Sequence, residues 1–174
     1  MPHRAPENAE LEPGSVYLHG QVCAGRGLAS QHLATAPQDL DHWLGAPPVA
    51  GTLNLVAPRP YLLNRKTARV FDTDQKMVWP AWLGNEPVLI YRWPGCALHV
   101  FELISAIHLR CGLGLVDGER VEVKLSTRHM VRVPAHAWAL WMVLWGLRET
   151  RYYRGHRRYP ILAEGLGRRL RAGQ

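Results

Sequence analysis

Polar and apolar positions alternate over Thr52-Leu53-Asn54-Leu55, so a strand there turns Thr52 and Asn54 to one side and Leu53 and Leu55 to the other. Val16 to Val22 reads as an earlier strand, with Gly20 allowing a bend or bulge. Between them, Ala36 to Leu44 predicts a short helix: Pro37 suits its first turn, Leu40, Trp43 and Leu44 supply an apolar face, and Gly45-Ala46-Pro47-Pro48 ends it. Further on, Val78-Trp79, Val88 to Trp93 and His99 to Ile104 are strand candidates separated by Pro, Asn and Gly. Leu115 to Val123 has hairpin punctuation, with Asp117-Gly118 turning the chain before Val121 and Val123 alternate with charged residues. Several short strands in one small chain predict a β barrel or sandwich rather than a doubly wound sheet.

After Pro134 the period changes. Trp138, Trp141, Met142 and Trp145 fall at helical spacings and are expected on one face, packed against the barrel; a membrane surface or a second protomer is the alternative cover. Arg148 to Arg158 reads as a basic continuation, followed by a second short helix from Ile161 to Leu170. The chain thus divides into a β unit over residues 15–133 and a helical Trp- and Arg-rich extension over residues 134–174.

A chain of 174 residues holds one complete core rather than two large domains. Its formal charge of +7 suits an anionic partner without choosing between nucleotide, nucleic acid and membrane headgroup. Much of the excess lies late: Arg148, Arg151, Arg154, Arg157, Arg158, Arg168, Arg169 and Arg171 stand against Glu149 and Glu164. Cys23, Cys96 and Cys111 are widely spaced and odd in number, which predicts inert thiols rather than a disulfide framework or a zinc site. Met1 to Gly14 lacks the apolar core of a secretory signal, and a cytoplasmic location is expected. The apolar stretch Ala135 to Leu147 is shorter than the roughly 20 residues of a membrane-spanning helix.

The candidate chemistry lies in Gly20 to Gly27 and Gly51 to Leu55. Glycines let backbone N–H groups approach an anion, while Thr52 and Asn54 offer neutral oxygens to a hard cation. The same residues also serve as ordinary turn formers, and Glu102, between Phe101 and Leu103, reads either as a barrel-edge charge or as an inward-facing carboxylate.

Gly20 to Gly27, Leu44-Gly45, Gly51-Thr52-Leu53-Asn54-Leu55, Phe101-Glu102-Leu103-Ile104, Leu109-Arg110 and Leu115 to Val121 occur in an order that resembles the CTP-dependent riboflavin kinases found mainly in archaea. The resemblance covers about Val16 to Leu125 and implies a mainly β fold: a six-stranded cradle-loop barrel with short helices, here carrying a helical, basic C-terminal extension. It implies nucleotide-binding roles for Gly25, Arg26, Gly27, Leu28, Ala29, Gly51 and Thr52. It also implies a Mg²⁺ site at Thr52 and Asn54, and a catalytic and substrate-binding role for Glu102. CTP and riboflavin are the implied partners, FMN the implied product.

Two departures from the family pattern stand out. Leu28 replaces the usual acidic residue and Ala29 the last glycine, and Arg26 reads either as a compensating partner for phosphate or as a solvent-facing loop arginine. The family's Arg-Pro and Thr-containing stretch before the glutamate is replaced by Arg92 to His99. Two alternatives therefore stand beside riboflavin phosphorylation: a related Mg²⁺-dependent kinase for another hydroxylated small molecule, such as a sugar-like metabolite, and a non-catalytic nucleotide- or RNA-binding barrel. A homo-oligomer through the extension is a further use of its Trp residues. Nucleic acid, through Arg151, Tyr152, Tyr153, Arg154, Arg157, Arg158 and Tyr159, is not the favoured partner.

Overall fold

The computed structural model describes residues 14–25, 37–71, 76–93 and 96–145. Its strands are β1 (Ser15–Cys23), β2 (Leu53–Val56), β3 (Leu62–Leu63), β4 (Arg69–Phe71), β5 (Lys76–Leu83), β6 (Glu86–Arg92), β7 (Val100–Ile104), β8 (Arg120–Ser126) and β9 (Met130–Val131). The helices are α1 (Pro37–Leu44), α2 (Leu109–Gly112) and α3 (Ala135–Leu144). Six strands close a ring in the order β1-β2-β7-β6-β5-β8, every neighbour antiparallel, with the seam made where β5 meets β8 at Trp82↔Lys124 and Leu83↔Val123. This is the expected six-stranded barrel with short helices and a C-terminal helix.

Strand alternation fills the barrel. Leu18, Val22, Leu53, Leu55, Trp79, Ile90, Phe101, Leu103, Val123 and Leu125 point inward and form one buried cluster. Gly20 is required where β1 crosses β2, since a Cβ there would lie 2.9 Å from Leu55 Cβ. No bulge occurs at it, because the β1–β8 register runs unbroken from Ser15↔Ser126 to Gln21↔Arg120.

Much of the outer wall is buried as well. Helix α1 lays Leu40, Leu44 and Trp43 over Phe71, Val78, Leu89, Tyr91 and Ile104, the outward residues of β4 to β7. Trp141 of α3 and Trp145 just beyond it pack on Cys96, Ala97 and Val100, with Cys23 and Trp93 at the margin, while Ala137 meets Leu62 and Leu98. The expected Trp face of α3 is therefore only partly formed: Trp138 is 36% exposed and Met142 50%. On a helix, position 142 lies about 100° from position 141, and Leu140 and Val143 are exposed beside it, so α3 is apolar all round.

Two other sequence expectations change. Leu115-Val116 is no strand; the turn at Asp117-Gly118 docks on β1, with Gly118 N donating to Val22 O at 2.8 Å and Val22 N donating to Glu119 O at 2.8 Å. Pro80 does not end its strand. It stands opposite Leu89, between the stretch of β5 that pairs with β4 and the stretch that pairs with β8, where that edge has no ladder to interrupt. Among the described residues no helix is long and apolar enough to cross a membrane. The predicted second helix at Ile161 to Leu170 and the basic run from Arg148 lie outside the described residues.

Candidate functional site

The strand register places Cys23, Asn54, Glu102 and Tyr91 side by side across β1, β2, β7 and β6. Because Leu53, Leu55, Phe101 and Leu103 take the inward positions, Asn54 and Glu102 face the outer side of the barrel wall. Of the two readings of Glu102, the inward-facing carboxylate is the one that the strand alternation does not bear out. Both residues are nevertheless buried, at 5% and 8% exposure. A carboxylate kept from water in such a place must be matched by donors or a cation.

Thr52 supplies one donor. Its hydroxyl gives a hydrogen bond to Glu102 Oε2 at 3.2 Å, and Asn54 Nδ2 reaches back to the Thr52 carbonyl at 3.4 Å. Gly51 leads into this corner at φ 101°, a left-handed backbone that favours glycine. Gly25, two residues past β1, lies against the Asn54 amide so closely that any Cβ would collide with Nδ2, and it would stand 3.2 Å from Cγ. The structure thus brings Gly25, Gly51, Thr52, Asn54 and Glu102 together. Arg26, Gly27, Leu28 and Ala29 lie outside the described residues.

A second group of residues frames the same corner. Arg110, on α2, donates from Nη2 to the Cys23 carbonyl at 2.8 Å and pairs with Asp117 at 2.7 Å. The ion pair is half exposed and worth at most about 1 kcal/mol, but it ties α2 and the Asp117-Gly118 turn to the end of β1 where the glycine loop begins. Beside Thr52 opens a pocket of about 190 Å³ whose walls include Gly51, Leu103, Ser105, His108, Leu109 and Arg110. Leu109-Arg110 stood out in the sequence only as one of an ordered series of motifs. Its cationic place on this pocket depends on α2 folding back over the barrel end, which no local pattern announces.

On the side toward α3, the wall is aromatic. Trp93 lies 5.9 Å from Tyr91, ring to ring, and shares a cluster with Trp141 and Trp145. Arg92 and His99 are engaged in packing there. The Arg92 guanidinium donates to the carbonyls of Leu98 at 2.9 Å and Tyr61 at 3.4 Å and stacks 4.8 Å from the Phe101 ring centre. Burial lowers its pKa from the ordinary value, with Cys96 acting weakly the other way. His99 sits between Trp141, at 5.8 Å, and Trp145, at 5.5 Å, and burial together with nearby Arg92 pushes its pKa down to about 3.

Comparison with protein-family models and with curated proteins finds no match to this chain. Among the described residues no group of three or more His, Cys, Asp or Glu side chains is placed to hold a metal ion. The corner offers a different donor set, one carboxylate and two neutral oxygen-bearing side chains. That set fits a small hard cation whose remaining ligands are phosphate oxygens and water, and it does not fit a soft or tightly caged metal. Closed barrel, covering helices and a polar corner beside a pocket form an architecture suited to binding a nucleotide or another small molecule.

Proposed function

We propose that this protein transfers the γ-phosphoryl group of a nucleoside triphosphate, CTP by its resemblance, to the primary hydroxyl of riboflavin, forming FMN. The observation that carries the reading is the convergence of Gly25, Thr52, Asn54 and Glu102 at one buried corner beside a pocket with a cationic wall. These residues come from the end of β1, the start of β2 and the middle of β7, and the resemblance implies nucleotide binding for Gly25, a Mg²⁺ site for Thr52 and Asn54 and a substrate-side role for Glu102.

Each has a physical task in such a reaction. Gly25 leaves to the Asn54 amide the space its own Cβ would take, which keeps Asn54 in the corner where the loop's backbone N–H groups would meet phosphate. Thr52 and Asn54 would hold Mg²⁺, which when bound neutralises the charge on the phosphates. Arg110 supplies positive charge to the adjoining pocket. Glu102 orients the acceptor hydroxyl and takes its proton as the new oxygen–phosphorus bond forms and the bond from the γ-phosphorus to its bridging oxygen breaks, releasing the nucleoside diphosphate. Alignment in a water-poor corner contributes more than acid–base chemistry here.

Purified protein supplied with riboflavin, Mg²⁺ and CTP, ATP or GTP in turn provides the test, with FMN measured after chromatographic separation. FMN formation with CTP preferred is the expected result. Folded protein that makes no FMN with any of the three nucleotides rejects riboflavin as acceptor.

One observation favours a second reading, the same phosphoryl transfer to another hydroxylated small molecule. Arg92 and His99, in the stretch that departs from the family pattern, are consumed by packing against Tyr61, Leu98, Phe101 and the α3 tryptophans. Nucleotide turnover that depends on Thr52 but proceeds only with a different acceptor would select this reading.

A further inference from the structure

Helix α3 is held to the barrel by one face only. Ala137 packs with Leu62 and Leu98, and Trp141 and, just past the helix, Trp145 pack with Cys96, Ala97 and Val100. On the other side Trp138, Ala139, Leu140, Met142 and Val143 are all exposed, Val143 by 79%. His136 is the single ionisable side chain among the ten residues of the helix. A helix face that meets water ordinarily carries charge, and an apolar one in its place marks a surface that is covered by something else in use. Trp138 stands at the border of the two faces, edge-on to Trp141 with ring centres 5.8 Å apart and planes at 80°. Its indole is thus braced by the buried face while it adds to the open one.

The amino acids that follow α3 name the cover. Residues 146–174 contain eight arginines, no Lys, no Asp and only Glu149 and Glu164, and Tyr152, Tyr153 and Tyr159 are interleaved with the arginines. Pairing inside this segment cannot cancel the excess, and pairing anywhere else leaves the whole chain at +7. Apolar side chains, Trp and Tyr, and a run of arginines are the three components of a helix that lies in the headgroup layer of an acidic bilayer: the first enter the acyl boundary, the aromatic rings sit at headgroup depth and the arginines meet lipid phosphate. Ten residues rise about 15 Å, half the hydrocarbon thickness, so α3 suits lying on a bilayer and not crossing it. Other covers match only half of this. Nucleic acid meets the arginines but brings no apolar layer to the helix, and a second copy brings an apolar face together with the same +7.

We infer that the outer face of α3 is a membrane-docking surface, which lays Trp138, Leu140, Met142 and Val143 into the headgroup layer of an acidic lipid bilayer while the arginines beyond it supply the attraction. The surface goes beyond the kinase reading and does not rest on it, since none of these side chains belongs to the Thr52–Glu102 corner or its pocket. The tryptophans expected on one face thus divide their tasks: Trp141 and Trp145 fix the helix to the barrel, and Trp138 faces the lipid.

The full chain would be co-sedimented with vesicles of phosphatidylcholine, alone or with about 30% phosphatidylglycerol, at about 100 mM KCl. Partitioning onto the acidic vesicles is expected to exceed that onto the neutral ones at least tenfold. Met142→Gln/Val143→Gln keeps charge and helix propensity, and it should lower partitioning onto the acidic vesicles at least tenfold while leaving Tm without lipid within about 2 °C. Arg151→Gln/Arg157→Gln/Arg158→Gln should weaken binding to the acidic vesicles alone. No binding of the natural chain to acidic vesicles overturns the inference. Equal binding by the Met142/Val143 variant overturns it too, because the arginines would then act without the helix. A fall in lipid-free Tm well beyond 2 °C in that variant would show the face covered by the chain itself, and a dimer by light scattering that the same variant dissociates would show it covered by a second copy. Either result rejects the bilayer.

Discussion

Gly25 and Asn54 are matched in size, and the match makes the corner sensitive to a single methyl group. Alanine at position 25 would drive its Cβ into the Asn54 amide, displacing either the loop or the side chain. Gly25→Ala is therefore expected to weaken Mg²⁺–CTP binding at least tenfold by calorimetry, and an unchanged affinity would show that the loop does not meet the nucleotide. Thr52→Ala deletes the hydroxyl that donates to Glu102 Oε2. A hydrogen bond to a charged group is worth about 1.5–3 kcal/mol, so turnover should drop roughly 10- to 100-fold, with Thr52→Ser restoring most of it. Equal activity in Thr52→Ala and Thr52→Ser would remove the hydroxyl from the mechanism. The Thr52/Asn54 pair was legible in the sequence because a two-residue period assigns sides without knowledge of the fold. The side of Glu102 was not, since both faces of β7 are buried, Phe101 and Leu103 inside the barrel and Val100 beneath the α3 tryptophans. A strand covered on both faces gives polarity no solvent side to report.

At the scale of elements, α3 separates packing anchors from bystanders. Trp141 is 8% exposed against Cys96, Ala97 and Val100, whereas Met142, the next residue, is half exposed. Trp141→Ala should cost roughly 3–5 kcal/mol in chemical unfolding, and Met142→Ala within about 0.5 kcal/mol of nothing. Similar losses for both would place Met142 under cover as well, in conflict with its exposure. The existence of α3 could be read from Pro134 and the tryptophan spacing, but its buried face could not, because a helix apolar on every side has no polar stripe to orient it. The failed hairpin at Leu115 to Val123 has a related cause. Asp117-Gly118 does turn the chain, yet the hydrogen bonds that decide its role go to Val22 and Glu119, and Val22 lies on a strand about 95 residues earlier.

At the scale of the molecule, the barrel could be anticipated from its count of short strands, whereas its ring order, joining β5 to β8 and β2 to β7, rests on contacts between distant segments. The same long-range assembly creates a pH dependence that composition does not foretell. His99 is enclosed by Trp141 and Trp145 and lies near the buried Arg92, itself close to Cys96, so protonation would place a second cation in a dry wall. Its folded pKa of about 3 lies below the ordinary 6.5. Between those values the unfolded chain binds the proton and the folded one does not, so stability is fully present above about pH 6.5 and falls as the pH is lowered toward 3. By pH 4 the loss from this residue reaches up to about 3 kcal/mol, equivalent to roughly 6–12 °C in Tm for a chain of this size. Other groups titrate over the same range, so the measurement is a comparison: Tm from pH 7 to pH 4 for the natural chain and for His99→Gln, which cannot take up the proton. The variant is expected to start less stable at pH 7 and to lose less on acidification. Parallel curves for the two proteins would show that His99 is free to protonate in the folded state and that the tryptophan wall opens to water.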